Sequence, residues 1–113
     1  MAKRSSAKYQ DLYIGLVRMH VLHHAAQESV FGQGMIEELG RHGYRLGPGT
    51  IYPLLHSMER RGWLRGRPTV VGGRRRKSYV ATRAGKAALS EAIGRVKELV
   101  HEVTECDGEA HME

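Results

Sequence analysis

Apolar residues recur with the period of an α-helix in four segments of the chain. The first segment, from Tyr9 to about Gln27, is apolar around most of its circumference, so the predicted helix must be covered on several sides. In so short a chain we expect part of that cover to come from a second copy. The second segment, from about Gln33 to His42, has one apolar face and ends at Gly43, a residue favoured just after a helix.

The third segment is the stretch GTIYPLLHSMERRGWL, from Gly49 to Leu64. Its apolar residues have the spacing of one helical face: Ile51, Leu54, Leu55 and Met58. The helix begins either at Pro48 or with Thr50 as its N-cap, and in the first case Pro53 would lie inside the helix and kink it. Trp63, at the junction with the next element, is assigned to the core.

Two β-rich runs, WLRGRPTVV and RRRKSYVAT, follow on either side of Gly72 and Gly73. A Gly-Gly pair between such runs is a strong signal for a two-residue hairpin turn. Two helices joined by a short turn and followed by a basic hairpin predict a winged helix-turn-helix. The sequence therefore predicts a mainly α protein with a small β-hairpin.

The fourth helical segment is capped by Thr82 and predicted to run to about Glu105. Apolar residues repeat in it at alternating steps of four and three, the spacing of a coiled-coil seam: Leu89, Ile93, Val96, Val100 and Val103. Two heptads are too few for an independent coiled coil, so we expect this helix to pack on the first helix and on a partner subunit. The predicted dimer interface combines that seam with Leu12, Leu16 and Met19.

These elements divide the chain into three predicted parts. Residues 9–82 form the DNA-binding domain, residues 83–105 form the C-terminal dimerisation helix, and residues 106–113 are expected to be a disordered tail.

The charge is distributed very unevenly over the 113 residues, whose net charge is +6. Residues 1–40 carry four basic and four acidic side chains, whereas residues 41–86 carry twelve basic side chains against Glu59 alone. Residues 87–113 carry two basic and seven acidic side chains. Positive charge concentrated in this way is typical of a surface that binds a polyanion.

Several classes of protein are disfavoured by the sequence. No segment approaches the roughly 18 consecutive apolar residues of a membrane span, so a soluble, cytoplasmic protein without membrane contact is expected. A phosphate-binding loop and a nucleophile motif are missing, and the acidic surroundings of Cys106 disfavour a reactive thiolate, so we predict neither an enzyme nor a cofactor.

The candidate DNA contacts fall into two groups. The outward face of the third helix offers Gly49, Thr50, Tyr52, His56, Ser57 and Arg60, and the hairpin offers Arg74, Arg75, Arg76 and Lys77. Gly49 allows the backbone to approach a phosphate, and the free N–H groups of a helix N-terminus favour an anion. Because strand neighbours point to opposite faces, we expect about half of the hairpin cations to reach DNA directly.

Three motifs in this chain resemble the PadR family of bacterial winged-helix transcriptional regulators: GTIYPLLHSMERRGWL, GGRRRKSY and ATRAGKAAL. The resemblance covers roughly residues 10 to 105. It implies a homodimer that binds a near-palindromic operator and represses transcription until an effector releases it. The short chain resembles the subgroup with a single C-terminal helix.

The chain departs from that family pattern in two places. Many members have Gly-Tyr-Glu where this chain has Gly32, Gln33 and Gly34, so a contact made by that tyrosine is not expected here. The drug-binding members resemble one another in a C-terminal helix with an aromatic residue, which the segment from Leu89 to Val103 lacks.

Histidines raise the question of a metal effector. His20 and His24 lie four residues apart on the first helix, and Cys106 and His111 lie near the end of the chain, so a transition-metal site at the dimer interface is conceivable. Ordinary polar helix positions are the favoured interpretation, since no CxxC or HExxH pattern is present. The prediction is therefore a sequence-specific regulator, with a non-specific architectural DNA binder or a metal-responsive repressor as alternatives.

Overall fold

The computed structural model describes residues 9–106, and no helix in that range is long and apolar enough to cross a membrane. Its elements follow in the order α1 (Gln10–Gln27), β1 (Val30–Phe31), α2 (Gly32–Arg41), α3 (Pro48–Arg60), β2 (Leu64–Val71), β3 (Arg74–Ala81) and α4 (Arg83–Val100). A π-helical segment, His101–Cys106, follows α4. This order confirms the predicted fold class, while residues 107–113 of the predicted tail lie outside the described residues.

The three strands form an antiparallel sheet in the order β1-β3-β2. The hairpin register closes with Val71 opposite Arg74, and the turn glycines Gly72 and Gly73 have φ angles of 58° and 78°. That left-handed region favours glycine at both positions, which explains why the Gly-Gly pair predicts the turn correctly. Strand β1 was not predicted; it adds a third strand by pairing Val30 with Tyr79.

The core lies between the first three helices and the inner face of the sheet. The apolar face predicted for α3 is buried, and its residues join those of α1, α2 and the strands. The buried apolar residues are Val17, Val21, Leu22, Ala25, Met35, Leu39, Leu46, Ile51, Leu54, Leu55, Met58, Leu64 and Tyr79. Trp63 is half-buried and packs against the edge of this core rather than inside it.

Helix α3 begins at Pro48, with Gly47 as the preceding cap residue. Of the two predicted starts, the one at Pro48 is therefore correct, and Pro53 lies inside the helix. Pro53 has no N–H to donate to the carbonyl of Gly49, four residues earlier. Gly49 is exposed, so water can reach that carbonyl.

Helix α4 begins as predicted, because the Thr82 hydroxyl accepts a hydrogen bond from the Gly85 N–H at 3.0 Å. The helical segment continues past the predicted end at about Glu105, but its hydrogen bonding changes from α to π after Val100. The Thr104 hydroxyl donates to the Val100 carbonyl and competes there with the backbone donors of an α-helix. The wider π turn also takes Val103 out of the heptad spacing.

Candidate nucleic-acid interface

Helix α3 and the β2-β3 hairpin, which we call the wing, enclose a single groove of about 490 Å³. Two of the predicted helix contacts, Tyr52 and His56, line it together with all four predicted wing cations. The full lining comprises Phe31, Gly32, Gln33, Tyr52, His56, Arg74, Arg75, Arg76, Lys77 and Tyr79. The structure thus brings the two predicted groups of DNA contacts to one surface.

The other predicted helix contacts lie outside the lining of this groove. Gly49 and Arg60 are exposed, and Ser57 is half-buried. Thr50 is also half-buried, and its hydroxyl accepts a long hydrogen bond of 3.5 Å from the Gln10 amide. None of these four residues therefore takes part in lining the groove.

Tyr52 is held in place by a glycine of the neighbouring helix. A Cβ atom added to Gly32 would lie 2.3 Å from the Tyr52 ring, so any other residue at that position would displace the ring. The Tyr52 side chain nevertheless remains 38% exposed. Gly32, the position of this segment that agrees with the family's Gly-Tyr-Glu, therefore makes room for a tyrosine that lines the groove.

The four wing cations differ in their surroundings, although all are exposed. Arg74 and Arg75 make no ion pair with any residue from 9 to 106. The Arg76 guanidinium lies 5.0 Å from the centre of the Phe31 ring, and the Lys77 ammonium lies 2.9 Å from a Glu59 carboxylate oxygen. The two arginines next to the turn are therefore the wing cations best placed to pair with phosphate.

Glu59 joins α3 to both strands of the wing. One of its carboxylate oxygens accepts from Lys77 of β3, and the other accepts from the Gly66 N–H of β2 at 3.3 Å. The hydrogen bond from Lys77 lowers the pKa of Glu59, and the same bond raises the pKa of Lys77. The only acidic side chain of residues 41–86 therefore fixes the wing to α3.

The predicted dimer interface is largely uncovered in the single chain. Leu12 is 72% exposed and Val100 is 50% exposed, and in α4 only Gly85 is buried. The radius of gyration is 16.2 Å, against about 13 Å for a compact domain of this length. Leu16, Ile93 and Val103 are also exposed, whereas Met19, Leu89 and Val96 are half-buried.

Three histidines converge between α1 and α2. His20 and His24 come from α1, and His42 is the C-cap residue of α2; one ring nitrogen of each lies within 4.8 Å of the others. Burial, followed by the imidazoles of His42, His24 and His23, lowers the pKa of His20, although Glu38 opposes the shift. The sequence indicated His20 and His24 as ligands, but it placed the further ligands near Cys106, whose side chain and His111 lie outside the described residues.

Sequence reasoning missed four residues of the groove lining, namely Phe31, Gly32, Gln33 and Tyr79. Phe31 and Tyr79 belong to neighbouring strands, and Tyr79 is buried beneath the groove. The two-residue strand β1 is too short to produce an alternating pattern, so its place beside the wing was not predictable from periodicity. Tyr79 could have been found as an apolar position directly after the cationic run.

A helix-turn-helix followed by a basic hairpin, with both facing one groove, defines the winged-helix class of fold. Comparison with known proteins assigns the family: residues 21–91 match the model of the transcriptional regulator PadR-like family. This chain belongs to that family. Its members are transcriptional regulators and not enzymes, as the sequence predicts.

Individual relatives agree with this assignment. The chain is 50% identical over 95 residues to the transcriptional regulator Rv3488 of Mycobacterium tuberculosis, covering 84% of this chain and 87% of that protein. A PadR family regulator from Eggerthella lenta superposes with a TM-score of 0.77 at 27% identity and 88% coverage of both chains. Bacillus subtilis PadR, solved in complex with operator DNA, has the same fold, with a TM-score of 0.60, 24% identity, and coverage of 69% of this chain and 47% of that one.

Proposed function

We propose that this chain is a homodimeric, sequence-specific repressor that binds a near-palindromic operator and is released by an effector. The observation that carries the proposal is the shared groove, in which Tyr52 and His56 of α3 face the cationic wing. Helix α3 supplies hydrogen-bonding side chains for base edges in the major groove, and the wing supplies cations for phosphate or for the minor groove. Bacillus subtilis PadR, which has the same fold, was crystallised in complex with operator DNA.

The start of α3 suits a phosphate contact. A Cβ atom built on Gly49 would have no heavy atom within 4 Å, so packing inside the chain does not require a glycine at this position. A small residue in the first turn does allow a phosphate to approach the free N–H groups of the helix. We infer that Gly49 and Thr50 lie against the DNA backbone, while Tyr52 and His56 reach the bases.

The exposed apolar side chains of α1 and α4 support the homodimer. Leu12, Leu16 and Ile93 would be covered by a second copy, which would also place two recognition helices for the two halves of a palindrome. A two-fold dimer of this kind predicts half-sites about one helical turn of DNA apart, or a multiple of that distance.

A depression that lies partly within the proposed dimer interface supports release by a small-molecule effector. It measures about 330 Å³ and is lined by Leu16, Met19, His20, His23, Tyr44, Leu89 and Ile93. Tyr44, from the loop between α2 and α3, supplies an aromatic ring that the C-terminal helix lacks. A ligand in this depression would contact both the dimer helices and the loop that precedes α3, and so could alter the distance between the two recognition helices.

The test is a comparison of binding to the DNA upstream of the chain's own gene and to random DNA of equal length. A specific regulator is expected to bind its operator at least about a thousandfold more tightly than random DNA at the same salt concentration. Equal affinities would overturn the proposal and favour the architectural alternative, because the unpaired cations Arg74 and Arg75 attract any duplex.

A further inference from the structure

We propose that His20, His24 and His42, together with the Glu38 carboxylate, form a binding site for a divalent transition-metal ion of the zinc class. The site lies between α1 and α2, apart from the groove described above. The proposal does not depend on the proposed regulation of transcription. Metal binding is measured on the free chain, in the absence of DNA.

Three histidine ligand atoms lie together, and a Glu38 carboxylate oxygen lies close to two of these histidines. Zinc binds imidazole nitrogen at about 2.0–2.1 Å, so two ligand atoms of a tetrahedral site lie about 3.4 Å apart. One Glu38 oxygen lies 3.0 Å from the His42 Nε2 atom and 3.4 Å from the His24 Nε2 atom. These two separations already suit a common ion.

His20 completes the set after a small movement. Its ring stacks on that of His42, with 4.6 Å between the centroids, and the three histidine ligand atoms lie within 4.8 Å of one another. The spacing of an occupied site requires the His20 side chain to move closer to His24 and His42.

The carboxylate is oriented by a second contact. The Arg41 guanidinium donates to one Glu38 oxygen, while the other oxygen faces His24 and His42. An outer partner of this kind fixes the direction of a ligating carboxylate. Three imidazoles and one carboxylate suit zinc, cobalt or nickel better than magnesium or calcium, which prefer sites made of oxygen ligands.

The ligands come from two elements, and the ion would join them. His20 and His24 lie on α1, whereas Glu38 and His42 lie on α2 and at its end. A bound ion would therefore stabilise the contact of α1 with the first helix of the helix-turn-helix, and the melting temperature should rise with metal concentration.

The test uses the full chain, freed of metal by a chelator, and titrates it with Zn²⁺ in a calorimeter and with Co²⁺ in the visible spectrum. We expect one ion per chain, cobalt d–d absorption, and a loss of affinity of at least about tenfold in His24→Asn and in His42→Asn. Glu38→Gln keeps the shape of the side chain and should also weaken binding. The circular dichroism of each variant without metal should match that of the wild type.

Two control variants distinguish this site from other ligands. His101→Asn changes an exposed histidine beyond α4, and Cys106→Ser removes the only thiol of the chain. Both should keep wild-type affinity. The proposal fails if the wild type binds no ion, if the His24 and His42 variants bind as tightly as the wild type, or if either control loses affinity to the same extent as they do.

Discussion

The groove between α3 and the wing and the apolar face of α4 are both exposed, but they are built differently. The groove is fixed by contacts within one chain: Glu59 joins the helix to both strands, and Gly32 makes room for Tyr52. In the seam of α4, in contrast, Val100 and Val103 remain about half exposed. The first surface is formed within one chain, whereas the second is the one that the proposed homodimer would bury.

The two regions also differ in net charge: the one that contains the groove is basic, and the one that contains most of the seam is acidic. Residues 41–86 carry twelve basic side chains against one acid, whereas residues 87–113 carry two against seven. A basic surface that is already rigid can bind DNA without the entropic cost of its own ordering. The acidic C-terminal region avoids competing for the same polyanion, so its exposed apolar seam is better suited to contact with a second protein chain.

The largest effect is expected from breaking the apolar seam. Val96→Glu places a charge in the predicted interface, so the chain should become monomeric and operator affinity should fall on the order of a thousandfold or more. Sedimentation at micromolar concentration and operator binding measure the two effects. Arg95→Gln changes the net charge equally on the neighbouring exposed position and should alter neither; a monomeric wild type would refute the dimer.

A smaller loss is expected from the base-reading face of α3. His56→Ala should cost on the order of 1–3 kcal/mol on the operator and little on random DNA, because the imidazole is expected to bond to a base edge. Tyr52→Phe keeps the ring against Gly32 and therefore tests the hydroxyl alone. If both DNAs lose affinity equally in a binding titration, α3 serves only as a phosphate anchor.

The wing should contribute charge rather than sequence preference. Replacing both Arg74 and Arg75 by Ala should weaken binding to every DNA and flatten the plot of log affinity against log salt by about 0.9 for each phosphate that the wing no longer neutralises. Arg95→Ala removes an exposed arginine far from the groove and should leave the slope unchanged. An unaltered slope in the double variant would mean that the wing tip does not reach phosphate.

Elements that depend on neighbouring residues in the chain were predicted from the sequence, whereas elements that depend on tertiary packing were not. Period and turn signals were enough for α3, for the Gly72-Gly73 hairpin and for the Thr82 cap, because each depends on neighbours in the chain. Strand β1 and the approach of His42 to His20 depend on tertiary packing, which leaves no local pattern. The change from α- to π-helical hydrogen bonding after Val100 was also not predicted, since the helical segment itself continues to Cys106.

The smallest effect is expected on stability, from removing the Glu59 carboxylate that joins α3 to the wing. The Lys77 hydrogen bond lowers the pKa of Glu59, so its stabilising effect is present above the unfolded value of about 4.5 and is lost as the pH falls through the lowered folded value. Since the pair is partly exposed, Glu59→Gln should reduce the free energy of unfolding by at most about 1 kcal/mol at pH 7 and by nothing near pH 2. Urea unfolding at a fixed protein concentration measures the difference, and Glu91→Gln, in a more exposed pair with Arg95, should show less. A difference between Glu59→Gln and wild type that persists at low pH would mean that the carboxylate charge does not hold the wing to α3.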